Sequence, residues 1–220
     1  MSGRGLYRIV AALAAGFVVW TLLNRLVFDP QAASFLSHKT ALAHPLRLPV
    51  WLRVLDIHIV AACLALLAGA LNFSDRLLRN HRLLHRVTGY VYIVSVLAVC
   101  VTSGYMAPYA TGGRAVSMAF NLMNMAWIAM TVTALVQIRR RRVDKHRRWM
   151  VRSYAFCFTN LSIHALTWTL TRLLGLSYEA GYASSVFGTI VLLGLAAELV
   201  IRLFFRTPFR LPPAKVDAGA

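Results

Sequence analysis

The sequence predicts an all-α fold: a polytopic membrane bundle of six transmembrane helices with both termini cytoplasmic. Three observations carry that expectation. Of the 220 residues, 59% are hydrophobic and 14% charged, against about a quarter charged in an ordinary soluble domain. Six apolar segments are each long enough to cross ~30 Å of hydrocarbon at ~1.5 Å rise per residue. The 24 Lys and Arg residues divide unevenly between the two sets of loops that six crossings create. This composition excludes a disordered chain, a disulfide-stapled secreted domain and an ordinary cytosolic enzyme.

The first segment, 6–28, follows Arg4 and Arg8. It is longer than the apolar run of a signal peptide and has no small-x-small cleavage site after it, so it reads as a retained helix. A long connection, 29–48, holds Pro30 and Pro45. The second segment, 49–72, opens on Pro49, a residue suited to a first helical turn. The third, 86–108, ends before Gly112-Gly113, which reads as a turn. The fourth, 115–138, runs into Arg139-Arg140-Arg141-Arg142. The fifth and sixth are 149–173 and 180–205. Beyond Arg206, the prolines Pro208, Pro212 and Pro213 predict an extended tail. Little is left for a soluble domain, so residues 1–220 read as one membrane domain.

The net charge of +17 suggests a nucleic-acid binder until it is placed on the segments. With the N-terminus inside, 18 Lys and Arg fall in inner segments and 6 in outer ones. That split follows the positive-inside rule and places both termini in the cytoplasm. The basic runs are then topology and lipid-headgroup signals. Nucleic acid is not an expected partner. On the helices, Arg53 and Asp56 are spaced to pair, as are Glu198 and Arg202. Cys63, Cys100 and Cys157 lie in apolar runs without a CxxC and read as core residues. Met118, Met123, Met125 and Met130 read as packing.

Histidine depth is the most informative pattern. His38, His44 and His81 lie in connections. His58 and His164, on the second and fifth segments, both fall about 3–4 Å to the outer side of the midplane. His85 and His146 both open segments at the inner interface, roughly 20 Å away from the first pair. Two stacked histidine pairs are what a two-haem b-type cytochrome needs, with one imidazole on each face of each iron. Small residues beside His58 (Ala61, Ala62, Ala65, Gly69) leave room for a macrocycle or for close helix packing. The upper pair either ligates haem or hydrogen-bonds in the core with Asn121, Asn124, Asn160 or Thr167. The lower pair is followed by Arg86 and Arg147, and suits haem, a quinone headgroup or an anionic lipid headgroup.

Several blocks carry a resemblance. They are Gly69-Ala70-Leu71-Asn72-Phe73, Leu84-His85-Arg86-Val87-Thr88-Gly89-Tyr90-Val91-Tyr92, Ser103-Gly104, Phe120, Trp127 and His146-Arg147-Arg148-Trp149-Met150-Val151-Arg152-Ser153-Tyr154-Ala155. In order and spacing they resemble the bacterial membrane family catalogued as domain of unknown function 2306, over about residues 50–175. The family has no established activity to carry over. Its members more often carry arginine at the position of His164, which moves weight to His58, His85 and His146. Similarity to cytochrome b561-type proteins is architectural only.

No Walker loop, HExxH, GxSxG or strand-borne GxGxxG occurs, and no carboxylate pair is placed for hydrolysis. Two readings follow. One is a b-type haem protein for transmembrane or quinone-linked electron transfer. It uses His58, His164, His85 and His146 on iron, and Arg86, Arg147 and Arg152 on propionates or quinone. The other is a non-enzymatic carrier, lipid-binding protein or scaffold subunit.

Overall fold

The computed structural model describes residues 3–37 and 45–205, and every regular element in them is helical. His38, His44 and the tail prolines lie outside the described residues. Helix α1 (Gly3–Leu23) continues through a π-helical turn, Asn24–Phe28. A short α2 (Ala33–Leu36) follows, its first amides donating to the Asp29 carboxylate at 2.7 and 2.9 Å. Next come α3 (Leu48–Asn72), α4 (Asp75–Asn80), α5 (Arg82–Met106) and α6 (Gly113–Arg139). The chain closes with α7 (Val143–Ala155), α8 (Thr159–Leu173) and α9 (Tyr178–Phe204).

Local chemistry sets the boundaries. Pro49 sits in the first turn of α3, where its missing N–H costs nothing. Ser74 and Ser177 cap α4 and α9, each hydroxyl accepting an amide at 3.4 Å. Gly112 starts α6 with φ 91°, and a Cβ there would stand 2.7 Å from Val116 Cγ2. At the other end of α6 the Arg141 amide donates to Ile138 O and the Arg142 amide to Gln137 O, both at 2.9 Å. That is a Schellman closure. Arg141 takes its left-handed position with φ 57°, where glycine is the usual residue.

Among the described residues, five helices are long and apolar enough to cross a membrane: Gly5–Phe28, Leu48–Asn72, Arg82–Tyr109, Gly113–Arg139 and Tyr178–Phe204. The expected segment 149–173 is not one of them. A 3-10 turn, Phe156–Phe158, divides it between α7 and α8. Helix α7, which starts before that segment, carries Lys145, Arg147, Arg148 and Arg152. The second half has 15 residues, about 22 Å of helix.

Helix α3 packs along α5, α5 against α6, α6 against α7, and both α7 and α8 against α9, while α1 lies on α3. Small and aromatic residues fill the centre: Ala65, Tyr92, Val96, Met123, Trp127 and Tyr154 are buried there. The perimeter is apolar as well. Val101, Met118 and Leu195 are 73%, 71% and 66% exposed, which suits a hydrocarbon surround and not water.

Both expected ion pairs are replaced by pairs between helices. Asp56 accepts from Arg25, in the π-helical turn that continues α1, at 2.7 Å and not from Arg53. Glu198 accepts from Arg152 of α7, with Nε–Oε1 at 2.6 Å and Nη2–Oε2 at 3.2 Å, in place of an Arg202 hydrogen bond. A guanidinium reaching from the neighbouring helix binds its carboxylate directly and ties two elements together. The three cysteines are free.

Candidate functional site: a cationic cavity at the basic end of the bundle

The arginine-rich α6–α7 turn and the α3–α4–α5 corner lie at the same end of the bundle. Between them is a cavity of about 570 Å³. Its walls follow helical spacing. Helix α5 contributes Arg82, His85, Arg86, Gly89 and Ile93; α6 contributes Thr131, Leu135 and Arg139; α7 contributes His146, Arg147 and Met150. Asn72, Phe73 and Asp75 close it at the corner. From Arg82 to Ile93 along α5 is about 16 Å at 1.5 Å per residue. Arg82, Arg86 and Arg139 are exposed, whereas His85, His146 and Arg147 are half-buried.

Asn72 braces the corner. Its amide oxygen faces the Gly89 N–H at 3.0 Å and its nitrogen faces Thr88 Oγ1 at 2.6 Å. That orientation follows because the Thr88 hydroxyl already has the Leu84 carbonyl, 2.9 Å away, to donate to. The same amide nitrogen lies 3.3 Å from His85 Nδ1.

His146 is held from α6: its Nδ1–H donates to the Ala134 carbonyl at 2.8 Å. A carbonyl can only accept, so Nδ1 carries the proton and Nε2 is the basic nitrogen. Burial pushes the His146 imidazole below its ordinary value; the Ala134 carbonyl pulls it up, and Arg147 pushes it down again. His85 and His146 are close enough to interact electrostatically. Arg147 rests over the Phe205 ring, 4.8 Å from its centroid, and feels Asp75 and Asp144. Arg152, expected among the site residues, is instead committed to Glu198 and lies 4.7 Å from the Trp149 ring centroid.

The upper histidines are placed differently. His58 Nδ1 is 2.9 Å from Thr102 Oγ1 on α5. That hydroxyl donates to the Ala98 carbonyl at 2.7 Å, so the imidazole N–H is the donor. None of the four expected core partners takes this bond. His164 is exposed on α8, which packs along α9. The two sit on helices that pack mainly on other partners, α3 on α5 and α8 on α9. Among the described residues no group of three or more His, Cys, Asp or Glu could hold a metal ion.

Behind the cavity lies a buried polar chain. The Thr131 hydroxyl donates to Trp127 O at 2.8 Å, so it accepts from Ser153 at 2.7 Å. Ser153 then accepts from Tyr92 O–H at 2.6 Å and from Trp127 Nε1–H at 3.2 Å. Cys157 lies 4.0 Å from the Tyr92 oxygen and donates to it. Each hydroxyl proton has one acceptor, so the chain is satisfied in one direction. Next to it the Tyr154 hydroxyl donates to Leu66 O at 3.1 Å. The Tyr154 ring lies flat against Gly69, where any Cβ would overlap it.

Residues 55–201 match the family described as Predicted membrane protein (DUF2306). The chain belongs to that family. No curated protein and no solved structure matches it. In this DUF2306 protein the match begins inside α3 and ends inside α9, so it takes in the cavity and the polar chain and leaves out α1. The blocks that carry the resemblance in sequence meet in space: Gly69 on Tyr154, Tyr92 and Trp127 on Ser153, Asn72 on Gly89. Sequence reasoning placed His85, His146, Arg86 and Arg147 at one level but missed Asn72, Asp75, Arg139 and Thr131 as wall residues. The position of Asn72 at the close of an apolar helix was the one available signal.

Proposed function

We propose that this DUF2306 protein binds an amphiphile with an anionic headgroup, in a non-enzymatic role, at the cytoplasmic face of a bacterial inner membrane. In this reading the chain crosses six times, residues 149–173 forming the fifth crossing, broken at Phe156–Phe158, with both termini inside. The 18 to 6 division of Lys and Arg supports that orientation. One observation carries the binding role: a single cavity of about 570 Å³ joins Arg86, Arg147, His85 and His146 to an apolar wall of Phe73, Ile93, Leu135 and Met150. Pockets of roughly 300–1,000 Å³ with a few convergent polar groups hold small ligands. The cations take the head, and the apolar wall takes the start of a chain. The test is native mass spectrometry from anionic-lipid micelles. Replacing Arg86 and Arg147 together by Gln removes most retained anionic lipid. Retention equal to wild type rules out those two arginines as its anchors.

One observation favours a second reading, a b-type haem between His85 and His146. The His146 Nδ1–H to Ala134 carbonyl bond is the arrangement that orients a metal-ligating imidazole with Nε2 free. Purified protein from haem-replete cells would then show a reduced-minus-oxidised b-type spectrum, lost in His146→Ala. A colourless preparation ends this reading and leaves the first untouched.

A further inference from the structure

The charge of the cavity is more selective than a general liking for anions. We propose that the headgroup it takes is a lipid phosphomonoester, a terminal phosphate held as a dianion between the two imidazoles and Arg147. The proposal rests on the amphiphile-binding reading above and names its ligand class.

The argument begins with what surrounds the half-buried part. Helix α4 offers one acid, Asp75, and α5 offers Arg82, Arg86 and His85. Helices α6 and α7 offer Arg139, His146 and Arg147. Arg82, Arg86 and Arg139 are exposed and largely solvated at the mouth. The deeper cationic or basic groups are Arg147, His85 and His146, with Asp75 and Asp144 both acting on Arg147. A phosphodiester head brings one negative charge and two free oxygens. A terminal phosphate brings up to two charges and three oxygens, with no further substituent between them and donors arriving from α5 and α7.

Protonation is matched as well. The second ionisation of a phosphate monoester lies at about 6, in the range where imidazole titrates. His146 spends its Nδ1–H on Ala134 O, so it donates to a ligand only after Nε2 takes up a proton. A dianion supplies the counter-charge for that proton, and the imidazoles meet the second charge of the head while the mouth arginines respond to any anion. The apolar wall makes the source a lipid and not free phosphate.

The experiment compares phosphatidic acid with phosphatidylglycerol carrying the same acyl chains, on full-length protein in a neutral detergent. Binding is read by native mass spectrometry and by thermal shift between pH 6 and 8. Two added charge-assisted bonds predict a preference for phosphatidic acid of about tenfold or more. His85→Gln/His146→Gln brings the affinities for the two lipids to within about threefold of each other, because the arginines that remain respond to any anion. Equal wild-type affinity for the two lipids overturns the phosphomonoester assignment and leaves the amphiphile reading standing. Failure of the wild type to bind either lipid overturns both. A double variant that keeps the full preference removes the imidazoles from the site. Inorganic phosphate matching phosphatidic acid overturns the lipid assignment. The wild-type comparison holds whether or not the variant folds.

Discussion

Two levels of the bundle carry the same raw material, a pair of histidines at matched depth, and use it in opposite ways. At the basic end His85 and His146 line one cavity from different helices, and His146 has one nitrogen fixed by a backbone carbonyl. Near the middle His58 is absorbed into a bond with Thr102, while His164 lies exposed on α8. Equal depth brings two side chains together only where their helices are neighbours and turn the right faces to each other. Helices α5, α6 and α7 do so around the cavity. Helices α3 and α8 pack mainly on other partners, α5 and α9.

Substitutions sharpen this contrast, and the largest effect is expected where the two levels are tied together. Gly69→Ala drives a methyl into the Tyr154 ring and strains the α3–α7 contact; a loss of about 3 kcal/mol is expected from such overpacking, read as a lower unfolding temperature in detergent. Ser153→Ala removes the acceptor shared by Tyr92 and Trp127, and leaving those buried donors unpaired costs about 2 kcal/mol. The histidines then separate. His58→Ala costs about 1 kcal/mol through its lost bond to Thr102. His164→Ala stays within about 0.5 kcal/mol, as exposed substitutions do. A large loss at His164 would show that the middle level holds a buried pair after all. Arg141→Gly, at the left-handed close of α6, raises stability by about 0.5–1 kcal/mol. A drop in melting temperature would mean that the Arg141 side chain outweighs its backbone strain.

A pH series probes the same asymmetry. The folded state holds the His146 imidazole below its unfolded value of about 6.5. Between those two values the folded protein binds fewer protons than the unfolded chain, so stability falls as pH drops through that window and is fully present above it. His146→Gln flattens the lipid-free profile between pH 7 and 5.

Much of this was legible beforehand, and the misses are instructive. Segment 149–173 was read as one helix because hydropathy averages over the turn at Phe156–Phe158. Pairing Glu198 with Arg202, and Asp56 with Arg53, assumed that a charge finds its partner along its own helix. Both carboxylates instead bind an arginine from a neighbouring helix. The blocks around Gly69, Tyr92, Trp127 and Ser153 could be read as a family pattern long before they could be read as one buried chain of hydroxyls.

The sequence by itself determined that this is a helical membrane protein, roughly where its helices run, and how high along the bundle each histidine stands. Hydropathy is local and additive, and position along a helix axis is a matter of counting residues. Only the tertiary structure decided which histidines share a cavity, which arginine leaves it for Glu198, and which small residue makes room for Tyr154. Those outcomes depend on rotation about each helix axis and on which helices are neighbours. Both are set by close packing among all the helices at once, and no single segment encodes that.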